Sequence, residues 1–331
     1  MPGAQERVLR RRIGAIQNIK KITRAMEMIA ATRVVKAQQA ANDARPYSEQ
    51  ITSVITNLAA GGTAISHPLL RQADEIAVVG VVILSSDRGL AGAYNSTVIR
   101  AAEREILAAK EAGRDYRLVT IGRKAEGYFR FRNYRIEAAF GGMSDKPTYE
   151  NAREVAATVA DLFANTVDVV ELVYTQFITM GNQKAVVRRF LPLDTSGAAD
   201  TGGGNDGPAA EFEFDPSPGA VLQSLLPRYV ESRLFAALLD SAASEHAGRQ
   251  RAMKAATDNA EDLIVRLQRK MNQARQDAIT TEIMEIIGGA EALSADKGSP
   301  EDLLLDHLST DPFRELGAGL THPTREDHRR H

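Results

Sequence analysis

Residues 85–95 read SSDRGLAGAYN and lie between a strand-like run and a helix-like run. In chains that alternate strands and helices, phosphate groups are held at such turns, by backbone N–H groups at the start of the helix. The segment lacks what the two familiar phosphate turns require. A dinucleotide fingerprint needs G-x-G-x-x-G and a P-loop needs Gly-Lys followed by Ser or Thr, but only Gly89 and Gly92 stand here and no Lys-Ser/Thr pair follows. The expectation is therefore a strand-to-helix turn in which Asp87 and Arg88 make structural contacts. Asn95-Ser96-Thr97 has the form of a glycosylation sequon, but no export signal accompanies it. His307, His322, His328 and His331 fall in the last 25 residues at spacings that match no metal site. No Ser/His/Asp or paired-carboxylate constellation assembles, so neither catalysis by this chain alone nor a cofactor is expected.

Composition narrows the classes further. The 331 residues are 44% hydrophobic and 25% charged, enough for one large or two ordinary domains. A net charge of -2 argues against a generally basic nucleic-acid binder, although residues 1–45 hold ten Lys/Arg and three Asp/Glu. With no cysteine, disulfides, thiolate metal sites and thiol catalysis are excluded. No apolar run approaches the roughly 18 residues that would cross a bilayer, so membrane association is expected only through a partner.

The elements that would carry any site fall into three groups. From Gln5 to about Leu58 the chain reads as one helix, with Pro46 as a kink after Arg45. Ala15, Ile19, Ile22, Met26 and Ile29 fall at spacings of 4, 3, 4 and 3, which is a coiled-coil seam, with Ile13 and Ile16 widening the stripe. A second long helix spans about 217–293, with Asp215 and Ser217 as caps, Pro218 in the first turn and a bend at Pro227. In it Leu267, Met271, Ala274 and Ala278 share the seam spacing, and Ile279, Ile283, Ile286, Ala290 and Leu293 continue it after a stutter. At 1.5 Å per residue the longer helix runs on the order of 100 Å, so part of it must project. Between them, residues 75–192 alternate strands (76–85, 116–121, 167–178, 184–191) with helices (95–112, 148–165), which is the pattern of an α/β domain with parallel crossovers. Residues 193–216 read as a flexible loop and connector. Residues 294–331 read as a disordered tail with a short helix starting at Ser299-Pro300-Glu301-Asp302.

Four blocks of this chain closely resemble the gamma subunits of the F-type proton-translocating ATP synthases. They are RRRIGAIQNIKKITRAMEMIAATRVVKAQ, SSDRGLAGAYN, LLPRYVESRLF with RQRAMKAATDN, and ITTEIMEIIGGAEAL. The resemblance spans about residues 5–293. It implies a long antiparallel coiled coil of the two terminal helices with an inserted Rossmann-like α/β domain. It also implies a central rotor that transmits torque between a membrane proton-driven c-ring and a catalytic ring of alpha and beta subunits, with an epsilon subunit beside it. On that implication the chemistry belongs to alpha and beta, and the chain is a peripheral protein at the cytoplasmic face of the cell membrane.

The same resemblance implies partner-facing roles for four residues. Met26 matches a shaft position close to an acidic loop of beta, and Arg249, Gln276 and Thr280 match positions that hydrogen-bond to a loop of one beta subunit. The basic helix formed by Arg7, Arg10, Arg11, Arg12, Lys20, Lys21, Arg24, Arg33 and Lys36 suits long-range attraction to that acidic loop. In the tail, Leu303, Leu304, Leu305 and Leu308 are candidates for docking on the ring as a brake. Two alternatives of other classes stand beside this reading: a coiled-coil scaffold that self-associates, and an α/β protein that binds nucleotide.

Overall fold

A computed structural model of the chain describes residues 4–60, 67–193 and 218–296. The Gly-rich stretch at 194–210, the caps Asp215 and Ser217, the tail helix and the leucines at 303–308 lie outside the described residues. Helix α1 spans Ala4–Ala60 and α5 spans Pro218–Asp296, and each continues through its internal proline, Pro46 and Pro227. Between them come β1 (Val78–Leu84), α2 (Tyr94–Glu111), β2 (Asp115–Ile121), α3 (Arg123–Phe131), β3 (Ile136–Phe140), α4 (Tyr149–Asn165), β4 (Val169–Phe177) and β5 (Gln183–Leu191). The chain divides into two compact units, residues 16–263 and residues 1–15 with 264–331.

In the larger unit the strands form one sheet in the order β3-β2-β1-β4-β5. β1 pairs in parallel with β2 and with β4, β2 pairs in parallel with β3, and β5 returns antiparallel to β4. Val81, Val82, Ile83 and Leu84 are buried to 1% exposure or less, as expected of a central strand covered on both faces. Val81 and Ile83 pack with α2 and α3, whereas Val82 and Leu84 pack with α4, with Ile51 and Ile55 of α1, and with Leu226, Val230 and Leu234 of α5. The carboxylate of Asp168 accepts the N–H groups of Ala77 and Val78 at 2.9 Å each, which fixes where β1 starts beside β4. A capping box closes the start of α4, where Thr148 and Asn151 exchange side-chain and backbone hydrogen bonds.

The long helices of this unit run antiparallel. The Thr23 and Thr257 hydroxyls meet at 2.8 Å, and Lys20 Nζ lies 2.9 Å from Glu261 Oε1. The seam on α1 differs from the one expected from its isoleucines. Ile19, Ile22 and Ile29 are 53%, 60% and 54% exposed, Ala15 is exposed and Met26 is only half-buried. The buried line runs instead through Thr23, Ala30, Val34, Ile51 and Ile55, with half-buried Ile16, Lys20, Glu27, Ala37, Ala41, Ala44 and Ser48 filling a 3, 4 repeat. Both stripes have the same period. Small residues on the facing helix decide between them, because Thr257 and Ala260 of α5 are buried and let two backbones approach closely.

The smaller unit is described at 4–15 and 264–296. Ile13 and Leu267 are each buried to 7% exposure, and Glu6 is buried with Arg10 Nη2 at 2.9 Å. Met271 and Ala274 are half-buried, and from Arg275 to Ser294 every residue is exposed. The expected continuation of the seam through Ala278, Ile279, Ile283, Ile286, Ala290 and Leu293 therefore has no partner within the described chain.

Candidate functional site

Two features stand out as candidates: a polar junction around Arg249, and the exposed apolar faces of the two long helices. The junction is built from the turn after β1, the loop before α4 and one face of each long helix. Asp87 carries the turn. Its Oδ1 accepts Arg123 N at 3.2 Å, its Oδ2 accepts Ser144 N at 3.1 Å, and its own N–H donates to Ser144 Oγ at 2.9 Å. Burial raises the Asp87 pKa, but the N–H groups of Gly142, Ser144 and Arg123 and the Ser144 hydroxyl outweigh this and hold the carboxylate below its usual range. Ser86 N and Oγ both reach Asn95 Oδ1, at 3.0 and 2.9 Å. The turn is thus tied internally, as expected, although Arg88 is exposed and, among the described residues, only its carbonyl is engaged, by Ser86 Oγ at 2.5 Å.

The turn packs on α5 at Gly248. A Cβ there would stand 2.7 Å from the Ala91 carbonyl oxygen, so a glycine is required for the two backbones to touch. One helical turn around this contact, Glu245, His246 and Arg249 project inward. Arg249 Nη2 lies 2.6 Å from Glu245 Oε1 and 3.3 Å from the Gly89 carbonyl, and Nη1 lies 3.8 Å from Asp145 Oδ1. Asp145 also pairs with Arg33 of α1 at 2.6 Å, so one carboxylate joins both long helices to the α/β domain. Its backbone carbonyl accepts a hydrogen bond from His246 Nε2 at 3.0 Å. A carbonyl accepts only, so Nε2 carries the proton. Burial lowers the His246 pKa and keeps the ring neutral at pH 7, which leaves Nδ1 as an acceptor facing Arg249 Nη1 at 3.4 Å. Burial raises the Glu245 pKa against the opposing pull of Arg249.

Of the four residues singled out from the sequence, two meet at this junction. Met26 and Arg249 line one cleft of about 300 Å³, together with Ile29, Ala30 and Leu90. Arg249 was expected as a donor toward a partner, but its guanidinium is already engaged by Glu245, Gly89 and Asp145 within the chain. Gln276 and Thr280 lie on the exposed end of α5. Glu245, His246 and Asp145 were not found from the sequence, since Asp145 is 101 residues from His246 and 112 from Arg33 and nothing local marks it.

The second feature is the unpaired apolar surface of the helices. On α1 it comprises Ile19, Ile22, Met28, Ile29 and Val35, and on α5 Ile279, Ile283, Met284, Ile286, Ile287 and Leu293. No group of His, Asp and Glu that could hold a metal occurs among the described residues, and no described helix is long and apolar enough to cross a membrane.

Comparison with known proteins gives these features a context. A family model described as ATP synthase matches residues 5–293. The ATP synthase gamma chain of Frankia casuarinae is 48% identical over 296 residues, covering 88% of this chain and 98% of that one. The gamma chains of Mycolicibacterium smegmatis and Streptomyces coelicolor are 44% and 46% identical, covering 88% and 90% of this chain and 98% and 99% of their own. Among solved structures, a chain from the Euglena gracilis mitochondrial ATP synthase in an OSCP, F1 and c-ring assembly matches with a TM-score of 0.60 at 17% identity, covering 88% of this chain and 95% of that one. A chain from the Tetrahymena thermophila central stalk and c-ring matches with a TM-score of 0.54 at 21% identity, covering 71% and 99%, and supports the same fold. With two long terminal helices around a mostly parallel α/β sheet, and with close sequence relatives along nearly all of their length, this chain belongs to the ATP synthase gamma-chain family, the central-stalk subunits of the rotary enzyme.

Proposed function

We propose that this chain is the rotor shaft of its ATP synthase and that it transmits torque without doing chemistry itself. The observation that carries the mechanical part is the bare end of α5. From Arg275 to Ser294 a helix with six large exposed apolar residues has no partner among the described residues, and in water such a surface calls for a sleeve. A ring of alpha and beta subunits would supply it, with an epsilon subunit and a membrane c-ring as further partners. The chain would then lie peripherally at the cytoplasmic face of the cell membrane.

A shaft that turns cannot be held by deep anchors at every angle. Exposed bases such as Arg7, Arg11, Arg12 and Lys21 suit weak, exchangeable attraction to an acidic lever on beta. In this reading Met26 approaches that lever, and Gln276 and Thr280 offer hydrogen bonds to one beta subunit at one angle. Each beta conformation is then favoured at its own shaft angle, which is how rotation and nucleotide exchange become coupled. Purification of a tagged chain from its native membranes tests the assignment. Alpha, beta and epsilon should accompany it stoichiometrically, and its recovery as a homo-oligomer without them would support the scaffold alternative instead.

A further inference from the structure

A cavity of about 570 Å³ has no role in the account above. Ser48 and Thr52 of α1 form one wall, Tyr229, Arg233 and Asp240 of α5 another, and β4 and β5 the floor. The strand register places the floor residues. Arg188 of β5 stands opposite Leu172 of β4, and Leu172 and Tyr174 lie on the face of the sheet that packs on α1 and α5.

The charges that line this cavity are not matched one for one. Arg188 Nη2 donates to Gln176 Oε1 at 3.3 Å, and Arg233 Nη2 donates to the Arg189 carbonyl at 3.2 Å. The Arg233 guanidinium also lies 5.8 and 5.6 Å from the centres of the Phe190 and Tyr229 rings. These contacts hold both guanidiniums in place and leave most of their N–H groups unused. Neither pairs with a carboxylate among the described residues, whereas Arg189 has its own partner in Glu171 at 3.2 Å. Asp240 is the single acid among the described residues that line the cavity, and it makes no hydrogen bond or ion pair there. Burial pushes its carboxyl up to about 6, with Arg188 and Arg45 pulling the other way through space. Two cations thus face one anion, and the cavity is net positive.

The second observation is independent of charge. Tyr174 is 6% exposed, and its phenol oxygen has no hydrogen-bond partner among the described residues, yet it is not among the polar atoms sealed from solvent. It opens into the cavity that the residue lines. Arg188, Asp240 and Arg233 all act electrostatically on this phenol, so the four polar groups converge. A polar group so deeply buried is nearly always paired, and here the partner has to come from whatever fills the cavity.

We infer that this cavity binds hydrogen phosphate, with Arg188, Arg233 and the Tyr174 hydroxyl donating to its oxygens and Asp240 accepting from its P–OH group. One acceptor among donors selects for a protonated anion. At pH 8 Asp240 is ionised and free phosphate still carries one proton, whereas sulfate carries none. A phosphate monoester, with a second pKa of about 6, has lost its proton as well. Either would set a bare oxygen against the Asp240 carboxylate. The bound ion ties α5 to β4 and β5, so the joint between the long helix and the sheet stiffens with phosphate.

Calorimetric titration of sodium phosphate into the full chain at pH 8, with sodium sulfate and AMP titrated at equal ionic strength, tests the inference. Wild type should bind phosphate at one site, and sulfate and AMP at least tenfold more weakly. Tyr174→Phe should melt at the wild-type temperature without phosphate, because its hydroxyl has no protein partner to lose, yet bind phosphate about tenfold more weakly, as the loss of one hydrogen bond to a charged group predicts. Arg188→Gln should lose at least as much. Asp240→Asn replaces the acceptor by a group of the same size that can donate, so its preference for phosphate over sulfate should vanish. The inference is overturned if wild type binds no phosphate or binds sulfate equally well, if either Tyr174→Phe or Arg188→Gln binds undiminished, or if Asp240→Asn keeps the preference. Tighter binding of AMP than of phosphate overturns it too, by assigning the cavity to a nucleotide.

Discussion

At the scale of single residues, the junction depends on charges that are useful only in company. Glu245 has 1% of its side chain exposed and pairs with Arg249 at 2.6 Å. Removing one member of a buried pair leaves the other uncompensated, at a cost of about 3–5 kcal/mol. Arg249→Ala should therefore destabilise the full chain by that order and not merely lose a contact to a partner. The pH dependence carries a definite sign. Burial already raises the Glu245 pKa, and without Arg249 it rises further, so the folded state of the variant holds a proton that the unfolded state releases. Its stability is then retained below the ordinary glutamate range and lost as pH climbs toward the raised value. In urea titrations the deficit of Arg249→Ala against wild type should be small near pH 5 and largest near pH 8, and the double variant with Glu245→Gln should recover most of it. An equal deficit at both pH values would mean that the guanidinium contributes by packing.

At the scale of elements, the turn and the long helices show what was legible in the sequence and what was not. The two helices, the central strand at 78–84 and the structural nature of SSDRGLAGAYN follow from periodicity, an apolar run and the absence of phosphate-loop residues. Helix α3 and strand β3 were missed. Arg123–Phe131 carries four charges in nine residues, and Ile136–Phe140 is a five-residue edge strand with only half of it covered. The seam of α1 was misplaced because hydrophobicity alone favours the isoleucine stripe. What fills the seam is set by close approach, which the neighbours across the helix pair decide and one helix cannot reveal. Gly248 belongs to the same class of information. In an open helix Gly→Ala gains about 1 kcal/mol, but at Gly248 the new methyl would meet Ala91 O at 2.7 Å. Gly248→Ala should therefore lose about 1–3 kcal/mol by overpacking. Gly14→Ala, with nothing within 4 Å of its added carbon, should hold or gain stability in the isolated chain. Chemical denaturation of the pair checks this, and a stabilised Gly248→Ala would show that the turn does not rest on α5 as described.

At the scale of the whole molecule, the apolar faces that the chain leaves uncovered are informative in the way its buried ones are. Ile19, Ile22 and Ile29 on α1 and Ile279, Ile283 and Ile286 on α5 would be a solubility hazard in a free-standing protein. They become functional surface in a subunit that is enclosed. The family assignment makes this chain a central-stalk rotor subunit, and its exposed helices support the proposal that other subunits enclose it. The absence of cysteine makes the decisive measurement direct, since a single thiol can be introduced at the exposed Glu111 of α2 and joined to a visible particle. With the catalytic ring of the purified complex fixed to a surface and ATP supplied, the particle should rotate in one direction with discrete dwell positions. ATP hydrolysis at the normal rate with a stationary particle would contradict the account.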